Sequence, residues 1–301
     1  MSEQKSPFRQ DCLAGKFAIV TGGGSGIGYG IVKELLRHGC AGVLICGRRE
    51  SFLQRAAASL ANEASSPSAK CLYKTCDVRD PERCKSVVEY AVAQFGSLDI
   101  LVNGAAGNFL AEAKALKPKG FRTVMEIDTL GTYNMCHFAQ PHLAKTKNGS
   151  IVNISATLQY GATWFQSHAS AAKSAVDSLT RSLALEWGSY GIRVNGIAPG
   201  PIADTPGTTK LAPMDAQAAE ELMSESIPLK CMGTAMDIGM SVIYLCADGS
   251  GRFITGDVLV VDGGHWLYKP PMIPRELVSE LSRKIESKSR AQAPPSTLSK
   301  L

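Results

Sequence analysis

The residues best suited to chemistry in this chain begin with Thr21-Gly22-Gly23-Gly24-Ser25-Gly26-Ile27-Gly28. Gly22 permits a tight turn, Gly26 lets backbone approach a pyrophosphate, and Gly28 lets a helix pack close against the preceding strand. The free N–H groups at that helix start would face an anion. About twenty residues further on stand Arg48 and Arg49, where a site for an unphosphorylated ribose would place a carboxylate. A guanidinium binds phosphate through paired hydrogen bonds, so these arginines favour a ribose 2′-phosphate, and hence NADPH over NADH. Asp77, followed by Val78, can accept from an adenine amino group. After Asn103, the small residues Gly104-Ala105-Ala106-Gly107 would let the chain pass close to a ribose.

The elements that must position these residues are legible. An apolar run, Phe17 to Val20, precedes the glycines, and Ile27, Ile31, Val32, Leu35 and Leu36 recur at helical spacing after them. Further apolar runs at Val43–Cys46, Cys71–Cys76 and Leu98–Asn103 alternate with helical patterns at about Ser51–Asn62 and Pro81–Phe95. Strands alternating with helices of this length mean βαβ units, and so an α/β fold with a doubly wound parallel sheet in a single domain. The 301 residues, 45% hydrophobic and 20% charged, suffice for one large core. Residues 1–14 form an arm, 15–268 the domain, and 269–301 a flexible tail. The net charge of +5 is spread along the chain, which argues against nucleic acid and suits a small polyanion. Nine cysteines at irregular spacings, without a C-x-x-C pair, suggest reduced core residues. No metal site is expected. With no apolar leader and no run long enough to span a membrane, the expectation is a soluble, unsecreted protein.

Taken together, TGGGSGIG, Asn103 to Gly107, Lys173 and Pro199-Gly200-Pro201-Ile202 resemble the short-chain dehydrogenase/reductase family over about residues 15 to 265. The resemblance implies a Rossmann-type domain with a nicotinamide cofactor contacted by Thr21 to Gly28, Arg48, Arg49, Asp77, Val78, Asn103, Lys173 and Pro199 to Ile202. It also implies a homotetramer joined through two long helices, here about Phe121–Lys145 and Ala169–Tyr190. The family's usual Ser, Tyr, Lys and Asn are altered, however. Lys173 is kept, but the tyrosine position is Ala169, the serine position is Ala156 beside Ser155, and the asparagine position is Asp128.

Without a phenol, reduction of a ketone is poorly served. Either the site only binds, as a silent NADPH scaffold, or hydride goes to a conjugated C=C while charge spreads onto a distant oxygen. The segments Gly104–Phe109, Met125–Thr132, Ile154–Leu158, His168–Lys173 and Ala198–Ile202 resemble the peroxisomal branch of the 2,4-dienoyl-CoA reductases. That likeness implies NADPH-dependent reduction of a 2,4-dienoyl-CoA to a trans-3-enoyl-CoA in β-oxidation of unsaturated fatty acids. Leu158 stands where the mitochondrial branch has a tyrosine. A trans-2-enoyl-CoA reductase is the nearer competitor, but such enzymes usually keep the tyrosine.

On this likeness Asp128 holds or supplies the proton, through a water; acting as an acid near neutral pH requires surroundings that raise its pKa, as burial in an apolar site does. Lys173 bonds the nicotinamide ribose and lends positive potential. The acyl-CoA would meet Arg48, Arg79, Phe109, Lys117, Lys119, Asp128 and Lys210, with Asp204 to Pro228 as a substrate lid. His168 lies near the site without an assigned proton role. Past a possible helix at Arg275–Ser287 the tail looks disordered, and it ends in Ser299-Lys300-Leu301, a peroxisomal address read by an import receptor.

Overall fold

A computed structural model describes residues 8–205 and 216–292. Seven parallel strands lie in the order β3-β2-β1-β4-β5-β6-β7. They are β1 (Phe17–Thr21), β2 (Gly42–Gly47), β3 (Lys70–Thr75), β4 (Ile100–Asn103), β5 (Gly149–Ile154), β6 (Ile192–Pro199) and β7 (Val258–Val261). Residues of β1, β2, β4, β5 and β6 are buried nearly throughout, as continuous apolar runs covered on both faces must be. The strand order reverses between β1 and β4, where such sheets open a crevice for ligands.

One face carries α1 (Gly26–Arg37), α2 (Glu50–Ala61) and, further along the chain, a helix at Ala235–Cys246. The other carries α3 (Pro81–Phe95) and two long helices near Gly131–Thr146 and Ser167–Trp187. Local chemistry sets the ends of these helices. Asp80 caps α3 by accepting from the Glu82 and Arg83 N–H groups, and Gly96 closes it at φ 85°. The helix at Ala235–Cys246 opens with a reciprocal Thr234–Asp237 capping box. It packs against α1 with little room, since a Cβ on Gly30 would lie 2.5 Å from the Ala235 Cβ.

The first expected long helix, Phe121–Lys145, differs from expectation in one functional detail. It is α4 (Pro118–Met125), a π-helical turn at Glu126–Leu130, and α5 (Gly131–Thr146), with Lys147 left-handed at φ 54°. A π turn inserts a residue and redirects the side chains it carries. After β5 comes a short helix, α6 (Leu158–Gly161), and then α7 (Ser167–Trp187), continued by a single 3₁₀ turn to Tyr190.

Of the expected lid, residues 206–215, including Lys210, lie outside the described residues. The remainder contains α8 (Ala216–Glu225). It ends near Ile227, whose Cγ2 would lie 2.7 Å from a Cβ on Gly263. The helix at Ala235–Cys246 is numbered α9. Residues up to Trp266 form one compact unit, and a second begins at Leu267. That second unit holds a helix, α10 (Arg275–Gln292), longer than the Arg275–Ser287 expected. Ser299-Lys300-Leu301 lies outside the described residues. No described helix is long and apolar enough to cross a membrane.

Candidate active site

At the β1–β4 switch point the glycine segment forms a cradle that accepts no side chains. Gly22 has φ 71°, and a Cβ there would lie 2.8 Å from the Gly104 carbonyl oxygen. A Cβ on Gly28 would lie 2.4 Å from that of Gly22. Thr21, 1% exposed, accepts from the Gly104 and Ala105 N–H groups at 3.0 Å, which ties the end of β1 to the end of β4. Its hydroxyl therefore braces the crevice floor and is not turned to a ligand.

A cavity of about 330 Å³ follows, lined by Gly22, Gly24 to Gly28, Arg48, Arg49, Asp77, Val78, Gly104 to Ala106 and Thr205. Its residues fit a dinucleotide. Ser25 caps α1 without using its own hydroxyl, and the first turn of α1 contains no acidic side chain to repel a phosphate. Arg48 is exposed at the cavity edge, whereas Arg49 sits at the N-cap just before α2 and holds its guanidinium 4.1 Å from the Phe52 ring centroid. A larger hollow of about 480 Å³, bordered by His137, His142, Trp187 and Tyr190, includes none of the sequence-derived site residues.

Asp77 is engaged within its own loop. Arg79 donates from Nε to both carboxylate oxygens at 2.9 and 3.1 Å, and its backbone N–H donates to Oδ1 at 3.1 Å. The guanidinium holds the Asp77 carboxyl below its usual range, opposed by partial burial. Arg79, expected at the acyl-CoA, is thus paired to the residue expected at the adenine. Asn103 also departs from its expected direction. It donates to Asn153 Oδ1 at 2.8 Å and to Cys136 Sγ at 3.2 Å, so its side chain belongs to the sheet interior. Asn153 in turn donates to Thr180 Oγ1 at 2.9 Å.

The π turn sets Ile127 in the crevice lining and buries the next residue, Asp128, against the loop after β4, with 1% exposure. Its Oδ1 accepts from the Gly107 N–H at 2.7 Å, and its Oδ2 lies 3.0 Å from Lys173 Nζ. Asp128 is thus buried, as an acid there would require, but its carboxylate faces a buried cation and a main-chain donor. Lys173, on α7, also donates to the Ile154 carbonyl at 2.9 Å. An ammonium has three donors, and the third has no partner among the described residues.

Ala169, at the usual tyrosine position, is buried against Val124 and Leu158. Ser155 does not substitute for the missing serine at Ala156, because its hydroxyl donates to Asp177 Oδ1. Gln159 donates to the other Asp177 oxygen at 2.6 Å. That Asp177 pair was not foreseen in the sequence, although Asp177 lies four residues beyond Lys173 on one helix face. Phe109 stacks on His168 with centroids 4.3 Å apart and is half-exposed. Lys117 and Lys119 are exposed at the start of α4, which meets Phe109: a Cβ on Gly120 would lie 3.0 Å from Phe109 Cζ.

Pro199 ends β6, and Gly200 fits only as glycine, since a Cβ would lie 2.5 Å from that of Asp262. Pro201 and Ile202 continue into a bridge with Gly233. Asp262 accepts from the Gly264 and Trp266 N–H groups at 2.8 Å, a turn-forming role.

The doubly wound sheet and the anion cradle at its switch point define a dinucleotide-binding α/β fold, with the buried Lys173–Asp128 pair behind the loop that follows β4. Residues 22–265 match the family model described as Enoyl-(Acyl carrier protein) reductase. The chain belongs to the short-chain dehydrogenase/reductase family, and with it to proteins that use a nicotinamide nucleotide. It is 50% identical to an Arabidopsis thaliana protein named peroxisomal 2,4-dienoyl-CoA reductase, (3E)-enoyl-CoA-producing, across 95% of this chain and 96% of that one. A Rattus norvegicus protein of the same name is 42% identical, with 94% of each chain covered. Among solved structures, a short chain dehydrogenase from Bacillus anthracis matches at TM-score 0.75 and 33% identity, covering 85% of this chain and 99% of that one.

Proposed function

We propose that this chain is an NADPH-dependent reductase of 2,4-dienoyl-CoA thioesters that yields trans-3-enoyl-CoA. The observation that carries the reading is the buried Lys173–Asp128 pair beside Ala169, a charged site without the phenol that carbonyl reduction needs. The names of the relatives support it.

NADPH, when bound, supplies the hydride. The chain's own residues do the rest. The Gly22–Gly28 cradle and Ser25 hold the pyrophosphate, and Arg48 takes the 2′-phosphate. The remaining N–H of Lys173 bonds the nicotinamide ribose, and the same ammonium places positive charge near the electron-rich dienolate. Asp128 orients a water that passes a proton to the substrate's α carbon, and the hydroxide left is reprotonated from solvent. Phe109, Lys117, Lys119 and the 204–228 segment border the acyl-CoA.

The chain works in the peroxisome, addressed by Ser299-Lys300-Leu301 and its import receptor. It assembles as a homotetramer through α4, α5 and α7. Exposed Leu130, Tyr133, Leu185 and Tyr190 on and beside those helices support that assembly. The test is product analysis with 2,4-hexadienoyl-CoA, a 2-enoyl-CoA and a simple ketone. Consumption of the dienoyl thioester alone, giving the 3-enoyl product, is expected. Preference for the 2-enoyl thioester, or cofactor binding without turnover, would refute the reading.

A further inference from the structure

Three cysteines meet at the adenine end of the cavity. Cys46 is the last residue but one of β2, Cys76 follows β3 directly, and Cys84 lies in the first turn of α3. All three pack in one apolar cluster with Ile19, Leu44 and Val87, at 0, 2 and 0% exposure in that order. Cys46 and Cys76 also line the dinucleotide cavity, beside Asp77 and Val78, so the cluster forms part of the crevice wall.

The three thiols are not equivalent. Cys76 accepts S–H hydrogen bonds from Cys46 and from Cys84, and these hold its thiol well below the ordinary range, against partial burial and the charge of Asp77. The same bonds, with burial, push Cys46 and Cys84 up. Cys76 is therefore the nucleophile of the cluster, because the thiolate is the reactive form. The single S–H of Cys84 is shared between Cys76 and the Val78 carbonyl oxygen, which lies 3.4 Å from its sulfur.

We propose that Cys76 is an oxidation site in the cofactor cavity: a hydroperoxide converts it to a sulfenic acid, and Cys84 closes it into a disulfide that distorts the adenine loop and weakens dinucleotide binding. In the first step an S–O bond forms at Cys76, the peroxide O–O bond breaks, and the leaving hydroxide takes up the thiol proton as water. In the second, the Cys84 sulfur attacks that of Cys76, the S–S bond forms, and the S–O bond breaks to release a second water. Two thiols are oxidised and one peroxide is reduced.

The sheet register selects Cys84 over Cys46 as the partner. Cys46 lies opposite Lys74, two residues short of Cys76. A strand spacing of about 4.8 Å combined with a two-residue rise of about 6.6 Å sets their Cα atoms about 8 Å apart. That exceeds the limit of about 7 Å for a disulfide, and the ladder, continued by the Cys76 N–H to the Gly47 carbonyl at 2.7 Å, cannot close the gap. Cys84 is joined to Cys76 by the loop itself. Drawing the two together moves Asp77 and Val78 and removes the Cys84 donor from the Val78 carbonyl, which Asn134 also holds at 3.0 Å. A bound dinucleotide covers this wall, so it should protect Cys76.

The test treats the full reduced chain with a small excess of hydrogen peroxide, maps its thiols by mass spectrometry and titrates NADPH by fluorescence. The expected result is a linked Cys76–Cys84 peptide and an NADPH Kd raised at least about tenfold. Dithiothreitol should reverse both changes, and NADPH bound beforehand should slow them. Cys84→Ser should stop at a Cys76 sulfenic acid that dimedone captures, and Cys76→Ser should keep its own starting Kd through the same treatment. Cys76 remaining a thiol while Cys231 is oxidised would overturn the inference, as would a Cys76→Ser chain that loses NADPH affinity as the parent does. If the variants failed to fold, the parent decides alone, because a Cys76–Cys84 link with the NADPH Kd within about twofold of its starting value contradicts the inference. The inference rests on the dinucleotide reading of the cavity, whose own failure is distinct: the reduced parent would then bind no NADPH.

Discussion

Lys173 spends one donor on Asp128 and one on the Ile154 carbonyl, which fixes its ammonium in space before any ligand arrives. Breaking this pair by removing one partner leaves a buried charge alone and should cost roughly 3–5 kcal/mol. Asp128→Ala and Lys173→Ala are thus expected to lower the melting temperature as well as turnover by at least about 10²-fold. Asp128→Asn separates the two effects: its amide still accepts from Gly107, so it should fold better than Asp128→Ala while losing turnover. The Ser155 hydroxyl serves Asp177, and Ser155→Ala should destabilise by about 1–3 kcal/mol while kcat changes little. A large drop in kcat at unchanged stability would show instead that Ser155 acts on substrate. His168 adds a pH dependence. Its folded value is depressed, so the unfolded chain takes up the proton first as pH falls. Above about pH 6.5 the ring is neutral in both states and its titration leaves stability unchanged, whereas below that the unfolded chain gains the proton first and stability falls. Denaturant titrations across this range should show a slope that His168→Phe reduces.

At the scale of elements, the helix carrying Asp128 shows both what the sequence allowed and what it hid. The family resemblance implied one long helix here, and Pro118 with Lys147 sets ends within a few residues of those expected. The π turn was invisible, because Glu126-Ile127-Asp128-Thr129-Leu130 has no composition that separates a π from an α turn, and close packing around it constrains the geometry. A Cβ on Gly131 would lie 2.5 Å from Val78 Cγ2. Gly131→Ala should therefore push this helix off the adenine loop, with a cost of about 1–3 kcal/mol and weaker cofactor binding, measurable by melting and NADPH titration. The cradle was legible for the opposite reason. Its glycines are required by backbone approach, so letters and geometry correspond. The polar side chains were harder to read. Thr21, Asn103 and Asp77 stand at the expected positions along the chain, but their partners come from other elements: Gly104, Asn153 and the Arg79 turn. Spacing along one strand carries no record of which neighbour a hydroxyl or amide will choose.

For the molecule as a whole, burial sorts the cysteines. Cys40, Cys46, Cys76, Cys84, Cys136 and Cys246 are buried and Cys231 is exposed. Burial pushes the Cys136 thiol up to about 12, with Asn103 opposing it, and Cys71 likewise to about 12. Thiol labelling of the native protein should reach Cys231 first, and mass mapping after brief alkylation checks it. Rapid labelling of Cys136 would contradict the packing described here. At the cavity mouth, Arg48→Ala should raise the NADPH KM by about tenfold with a much smaller effect on kcat, because a lost phosphate contact weakens binding more than chemistry. An equal rise in the NADH KM would remove Arg48 from 2′-phosphate recognition. The central claim, that a charged site without a phenol reduces a conjugated thioester, is tested most directly by NADPH oxidation with purified protein and 2,4-hexadienoyl-CoA, the product being identified. The account predicts steady turnover to the trans-3-enoyl thioester, strongly diminished in Asp128→Ala. Near-normal turnover in Asp128→Ala, or a 2-enoyl product, would contradict it.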